Sequence, residues 1–241
     1  GTSLLIGFAF VERRAAEPIL PGWVFRNRLL NSTNLVALGA GVMLIVLTSF
    51  IPLYAQGVLR TSALVAGFAL AALTLGWPLA ASMAGRIYLR IGFRRTALIG
   101  AAVVMIGSGL LALLSSSSSV WQVAATCFVM GLGMGLVVSP TLISAQSSVE
   151  WERRGVVTGT NMFARSMGSA LGIAVFGAIA NASLSRRVGG HSSTASAIPV
   201  SILEPALHKV FLSAALVAVL LATAVLLMPR RLPINRDAPP S

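Results

Sequence analysis

Thr158, Asn161, Arg165 and Ser169 stand three, four and four residues apart in a stretch otherwise made of apolar and small side chains. At a helical period this spacing puts all four on one face. A guanidinium stays charged at any working pH and offers five donors. The chemistry open to such a face is hydrogen bonding and anion pairing, not proton abstraction. Arg165 is about eleven residues beyond Arg154, roughly 16 Å along a helix rising 1.5 Å per residue. That depth is close to the middle of a bilayer. An arginine there costs about 2.5–3.5 kcal/mol on insertion scales, so Arg165 is expected to face a bundle interior or cavity. Snorkelling along its own helix is the alternative, and depth argues against it.

Other reactive groups are scarce. No carboxylate falls inside any long apolar stretch: Glu150 and Glu152 lie between two of them, and Glu12, Glu17, Glu204 and Asp237 lie outside. His191 and His208 are outside or at an edge. Hydrolytic chemistry needs an acid, a histidine or a metal among positioned groups, so an enzyme is not expected, nor a cofactor or metal. The single cysteine, Cys127, reads as a small apolar residue. No Gly-rich loop ending in Lys-Ser/Thr appears, so ATP-driven pumping is not supported. The counter-charge of Arg165 must then be a carbonyl, water, a substrate, or an acid outside this chain.

The elements that position these residues are six apolar stretches, at about 34–55, 64–88, 96–114, 120–146, 156–182 and 210–228. Each is near or above the roughly 20 residues needed to cross a bilayer as a helix. Apolar residues make up 56% of the chain and charged residues 10%, far from the quarter usual in soluble domains. The expected fold is therefore an all-α membrane protein. The third and sixth stretches are nearly featureless, which suits lipid or a dry interior. The first, second, fourth and fifth carry Pro52, Pro78 and Pro140 with Ser49, Gln56, Thr74, Ser82, Ser139, Thr141 and Gln146. Proline frees a carbonyl and kinks a helix, which membrane helices tolerate beside protein or cavity water. Candidate cavity residues are accordingly Arg165, Asn161, Thr158, Ser169, Ser49, Gln56 and Thr141, with helix kinks at Pro52, Pro78 and Pro140. Gly131, Gly133 and Gly135, and the pair Gly168 and Gly172, have the spacing of close helix crossings.

The net charge of +12 does not indicate nucleic acid. The basic residues form short clusters at helix ends, not a continuous face. Thirteen of the 18 fall into alternate gaps, around Arg13 to Arg28, Arg86 to Arg95, Arg153 to Arg154 and Arg230 to Arg236. The other gaps hold only Arg60, Arg186, Arg187 and Lys209. The positive-inside tendency makes the first set cytoplasmic and puts both ends of the six-helix unit on that side. The apolar run 4–11 precedes its charges, the reverse of a signal peptide. It reads as the tail of a helix that begins upstream, in a longer protein. The expected organisation is a truncated helix tail over 1–11, a cytoplasmic linker over 12–33, the six-helix bundle over 34–229 and a disordered cytoplasmic tail over 230–241. The serines at 115–119 suggest a flexible outer turn, and 183–208 a mobile outer loop.

The run Gly85-Arg86-Ile87-Tyr88-Leu89-Arg90-Ile91-Gly92-Phe93-Arg94-Arg95 resembles the cytoplasmic loop signature of the major facilitator superfamily. Gly85, Arg90, Gly92, Arg94 and Arg95 match it, and Leu89 replaces its aspartate. Phe10 to Arg14, Glu17 to Pro21, Phe25 to Arg28, Gly131 to Pro140, Glu152 to Gly155 and Asn161 to Gly172 resemble the fourteen-helix drug/proton antiporter branch. The resemblance implies one six-helix half of a transporter, paired with an N-terminal half that is absent here. It implies ligand between the halves near mid-membrane, export driven by protons, and a multi-pass location in a plasma membrane, in bacteria the inner one. Expected partners are a small-molecule substrate, protons, the missing half and membrane lipid. Apolar and weakly polar walls suit drug-like or amphipathic cargo. A non-transporting scaffold or sensor would account for the helices, but not for four interrupted helices against two bland ones.

Overall fold

A computed structural model describes residues 22–188 and 200–229, and the side chains of all of these but 183–188. Among these residues the chain is helical, without strands: α1 (Gly22–Arg26), α2 (Arg28–Gly57), α3 (Ala63–Ile91), α4 (Phe93–Ala112), α5 (Val120–Ser147), a 3-10 turn (Trp151–Arg153), α6 (Arg154–Val188) and α7 (Val200–Leu226). α2 to α7 are long and apolar enough to cross a membrane. The expected segments 1–11 and 230–241 lie outside the described residues.

The first and last spans start earlier than sequence reasoning placed them. α2 begins at Arg28, inside the expected linker, because the Asn27 side chain accepts from Leu29 N at 2.9 Å and caps it. α7 begins at Val200, although 183–208 reads as a loop. Its first turns bury Leu203, Ala206 and Leu207, while the breakers Pro205, His208 and Lys209 are exposed on the other side. Glu204 therefore belongs to a membrane-capable helix, contrary to the expectation that every acid lies outside the spans. α6 likewise runs on through 183–188.

The packing has an internal two-fold pattern. The spans in contact pair as α3 with α5, α4 with α5, α2 with α6, α2 with α7, α4 with α7 and α2 with α5, and also between the remaining neighbours in sequence. Exchanging α2–α4 for α5–α7 maps this set onto itself. Each unit holds three helices, so the two run in opposite senses, the inverted-repeat arrangement of membrane transporters. Burial follows the same symmetry. In their most apolar windows α2 and α5 are each 56% buried, α4 and α7 44% and 39%, and α3 and α6 only 28% and 17%. The chain is thus a six-helix half-bundle with α2 and α5 central and long open faces on α3 and α6.

Glycines set the two closest crossings, and these too are symmetry mates. A Cβ on Gly76 would press on the Phe128 carbonyl, and Cβ atoms on Gly131 and Gly135 on the Leu73 and Trp77 carbonyls, where α3 meets α5. Where α2 meets α6, a Cβ on Gly41 would collide with the Arg165 carbonyl, and one on Gly168 with the Leu38 carbonyl. Main chains approach this closely only without side chains between them.

The two ends of the bundle are tied differently. At one end Arg94 Nη2 donates to Leu226 O at 2.7 Å and Arg28 Nε to Leu227 O at 3.3 Å. Arginines from two separate turns thus satisfy the last carbonyls of α7 and suit its negative dipole end. At the other end the Tyr54 hydroxyl donates to Ser115 O at 2.6 Å, and Ser116 N donates to a Glu204 carboxylate oxygen at 2.7 Å. Ser119 and Gln122 form a reciprocal cap on α5. The serine turn expected to be flexible is pinned to α2, α5 and α7.

Candidate functional site

The face of α6 read from sequence lies against α2. Asn161, buried, donates from Nδ2 to Thr33 O at 3.2 Å. Ser169 Oγ is 3.1 Å from Gly41 O and 3.2 Å from Arg165 O, either of which can accept its proton. Thr158 Oγ1 donates to Arg154 O and accepts from Gln146 Nε2 of α5, both at 2.8 Å. The four residues therefore share a face, and that face joins α6 to α2 and α5. Three of them spend their polar atoms on helix contacts. Arg165 differs: its side chain is half-buried, and its guanidinium has no hydrogen-bond or ion-pair partner among the described residues. A permanent charge held beside a tight crossing, with its donors free, is what an anion or a polar ligand atom would meet.

The remaining candidates divide. Ser49 and Gln56 are exposed on α2. Thr48 and Pro52 lie on the same strip, four residues apart. Pro52 cannot donate to the Thr48 carbonyl, so this acceptor is freed on an exposed residue. The Thr48 hydroxyl is used within the helix, donating to Leu44 O at 2.9 Å. Thr141 is buried and its hydroxyl satisfies Val137 O at 2.8 Å, a local bond that leaves nothing for a ligand. Pro140 is buried beside it, whereas Pro78 is exposed on α3. Thr74, Pro78, Ser82 and Arg86 follow at intervals of four, all exposed, giving α3 a polar line from the middle of the span to its arginine-rich end.

Of the loop signature, Arg90, Gly92 and Arg95 are exposed, and Arg94 reaches α7 as described. Gly92 has φ +89°, a left-handed turn that a Cβ would strain. Phe93 then stacks on Tyr88 with ring centroids 4.5 Å apart. Gly85 sits within α3, where a Cβ would meet only the end of the Tyr88 ring.

Sequence reasoning did not single out a cavity of about 470 Å³ between α1, the start of α2 and α6. Asn34 brings an amide to it, and the Asn31 amide at its edge donates to Phe25 O; Leu35, Leu38, Phe163 and Met167 supply apolar walls. It opens on the arginine-rich half of the bundle. The N-cap at Asn27 is the sequence signal that would have brought Asn31 into a helix. Apolar walls with few polar groups suit a ligand with a greasy body and a polar group.

Residues 8–173 match the Major Facilitator Superfamily. Among curated proteins the chain is similar to the Multidrug transporter protein MdtP of Bacillus subtilis (strain 168), 32% identical over 180 residues, covering 74% of this chain and 33% of that protein. It is 34% identical over 177 residues to Multidrug resistance protein 3 of the same organism, covering 72% and 34%. It is 28% identical over 232 residues to the Puromycin resistance protein pur8 of Streptomyces alboniger, covering 94% and 45%. The chain thus spans between a third and a half of the length of these relatives. In fold it superposes on the inward-open xylose transporter XylE of E. coli with TM-score 0.66 at 18% identity, covering 86% of this chain and 48% of that one. At that identity the likeness is one of fold, and it matches a six-helix half.

Proposed function

The chain belongs to the Major Facilitator Superfamily, and we propose that it is the C-terminal half of a proton-coupled exporter of drug-like or amphipathic small molecules. The observation that carries this reading is the unpartnered Arg165 guanidinium on the helix crossing of α2 and α6, beside open faces on α3 and α6. A second half-bundle set against those faces would enclose Arg165 in a mid-membrane cavity, with the 470 Å³ groove towards its arginine-rich end and Ser49 and Gln56 towards the other. The two half-bundles rocking about such a cavity would expose it to each side in turn. The multidrug and puromycin resistance named for the relatives supports amphipathic cargo. A sugar would call for many fixed polar partners, and the groove offers few polar groups among apolar walls. The charge on the far wall opposite Arg165, and the acid that carries the proton, would come from the other half. In this reading the protein sits as a multi-pass protein in the plasma membrane, the inner membrane in a bacterium, and belongs to the fourteen-helix drug/proton antiporter branch.

The test is efflux of a fluorescent amphipathic dye from energised cells containing the full-length protein, or its uptake into energised inverted vesicles prepared from them. Dissipating the proton gradient is expected to abolish export. Export that persists without the gradient removes proton coupling. No protein-dependent movement of any dye in an amphipathic panel, with or without the gradient, removes the exporter reading and leaves a scaffold or sensor.

A further inference from the structure

A separate cavity of about 670 Å³ lies where the α3–α4 turn meets the end of α7, walled by residues 91–95 with Leu98 and Leu226. It does not include the Arg165 face. Two cations line it. Arg94 spends Nη2 on Leu226 O, but its Nε is buried without a partner. Arg95 is exposed, and its guanidinium has no partner among the described residues. Gly92 turns the chain sharply at the edge of this space, and no side chain caps the 20-residue α4 that follows it. The acids of the described residues are Glu150, Glu152 and Glu204, and none lines the cavity. Ile91, Leu98 and Leu226 give it an apolar flank. Just outside, Leu89 is 80% exposed between Arg86 and Arg90, also exposed, as suits a surface lying where hydrocarbon gives way to headgroups.

We propose that this cavity binds the phosphodiester of an anionic phospholipid from the leaflet on the arginine-rich side. The Arg94 and Arg95 guanidiniums take the phosphate oxygens, and Ile91, Leu98 and Leu226 receive the first part of an acyl chain. The choice of an anionic over a zwitterionic lipid follows from the lining, which offers cations for the phosphate and no carboxylate for an ammonium.

The experiment is native mass spectrometry of the full-length protein in mild detergent, titrated separately with phosphatidylglycerol, phosphatidylcholine and inorganic phosphate. Phosphatidylglycerol is expected to bind at least tenfold more tightly than phosphatidylcholine. Arg95→Gln, which leaves the bond from Arg94 to Leu226 intact, is expected to reduce that preference at least threefold. Arg94→Gln with Arg95→Gln is expected to erase it, with phosphatidylcholine binding unchanged as a check on folding. Equal affinity for the two lipids, or a preference that survives the double substitution, overturns the proposal. Inorganic phosphate binding as tightly as phosphatidylglycerol transfers the site to a free anion and overturns the lipid assignment. Lipid binding that appears only after removal of residues 230–241 would give the cavity to the chain's own tail.

Discussion

Arg165 shows what a single side chain contributes when its neighbours are already satisfied. Asn161 and Ser169, on the same face, bond to α2 main-chain carbonyls. Their removal would loosen a crossing. Arg165 bonds to nothing in the described bundle, so its removal should spare folding and strike ligand handling. Arg165→Ala in the full-length protein is expected to keep expression and thermal stability while lowering gradient-driven efflux at least tenfold. Arg165→Lys keeps the charge but loses the planar fork, and should recover part of the loss. Efflux by Arg165→Ala at the parental rate would remove Arg165 from the mechanism. Tyr54 is the contrasting case, a polar atom committed to structure. Tyr54→Phe deletes the bond to Ser115 O while keeping the edge-on contact with Phe211, 5.7 Å between ring centroids. A single such bond contributes about 1 kcal/mol, so a lower melting temperature is expected in detergent, with Phe211 packing retained. Sequence spacing made the shared face of Thr158, Asn161, Arg165 and Ser169 legible, because helical geometry is local. It could not say that Thr33 and Gly41 lie opposite, since those partners are 128 residues away.

Helices in this bundle are positioned by where side chains are missing. Gly41 and Gly159 are both helical glycines, yet a Cβ on the first would overlap the Arg165 main chain and one on the second would meet nothing within 4 Å. Gly41→Val is therefore expected to separate α2 from α6 and yield little folded, monodisperse protein in detergent. Gly159→Ala should be tolerated or raise stability, since alanine is favoured over glycine in helix interiors by up to about 1 kcal/mol. Fluorescence-detected gel filtration with a thermal ramp distinguishes the two, and equal behaviour would mean the crossing is not glycine-limited. The six spans were legible from run length, because hydrocarbon leaves a backbone no other way to satisfy itself. So were Gly168 and Gly172, from their spacing. Gly41 and Gly76 were not singled out, as each lacks a nearby partner glycine at the same spacing on the face it uses. The start of α7 was obscured for a different reason. Glu204, Pro205, His208 and Lys209 look like loop residues in one dimension, but Leu203, Ala206, Leu207 and Val210 hold the buried side of a helix whose other side is open.

At the scale of the whole bundle, orientation rests on which residues gather at each end. Arg28 at the start of α2 and Arg94 at the start of α4 both reach the last carbonyls of α7. Tyr54 near the end of α2, the 115–119 turn and Glu204 near the start of α7 meet at the other end. These ties fix two sides independently of any rule about charge. The arginine clusters at 86–95 and 153–154 then occupy the first side, along with Arg26 and Arg28. Holding cations on one side is the usual mark of the cytoplasmic face, which predicts opposite accessibility for Ser116 and Trp151. Cysteine labelling can read this, because the native Cys127 is fully buried in the core and gives a low background. Ser116→Cys should react with a membrane-impermeant maleimide added to intact cells. Trp151→Cys, at an exposed position on the opposite side, should react only after the membrane is opened. The reverse pattern would invert the bundle in the membrane. It would also move the lipid proposed for the α3–α4 cavity to the other leaflet, while leaving the helix contacts, glycine crossings and end ties as they are. Labelling at both positions in intact cells would contradict the two-sided architecture itself, since one pair of ties cannot then lie across a bilayer from the other.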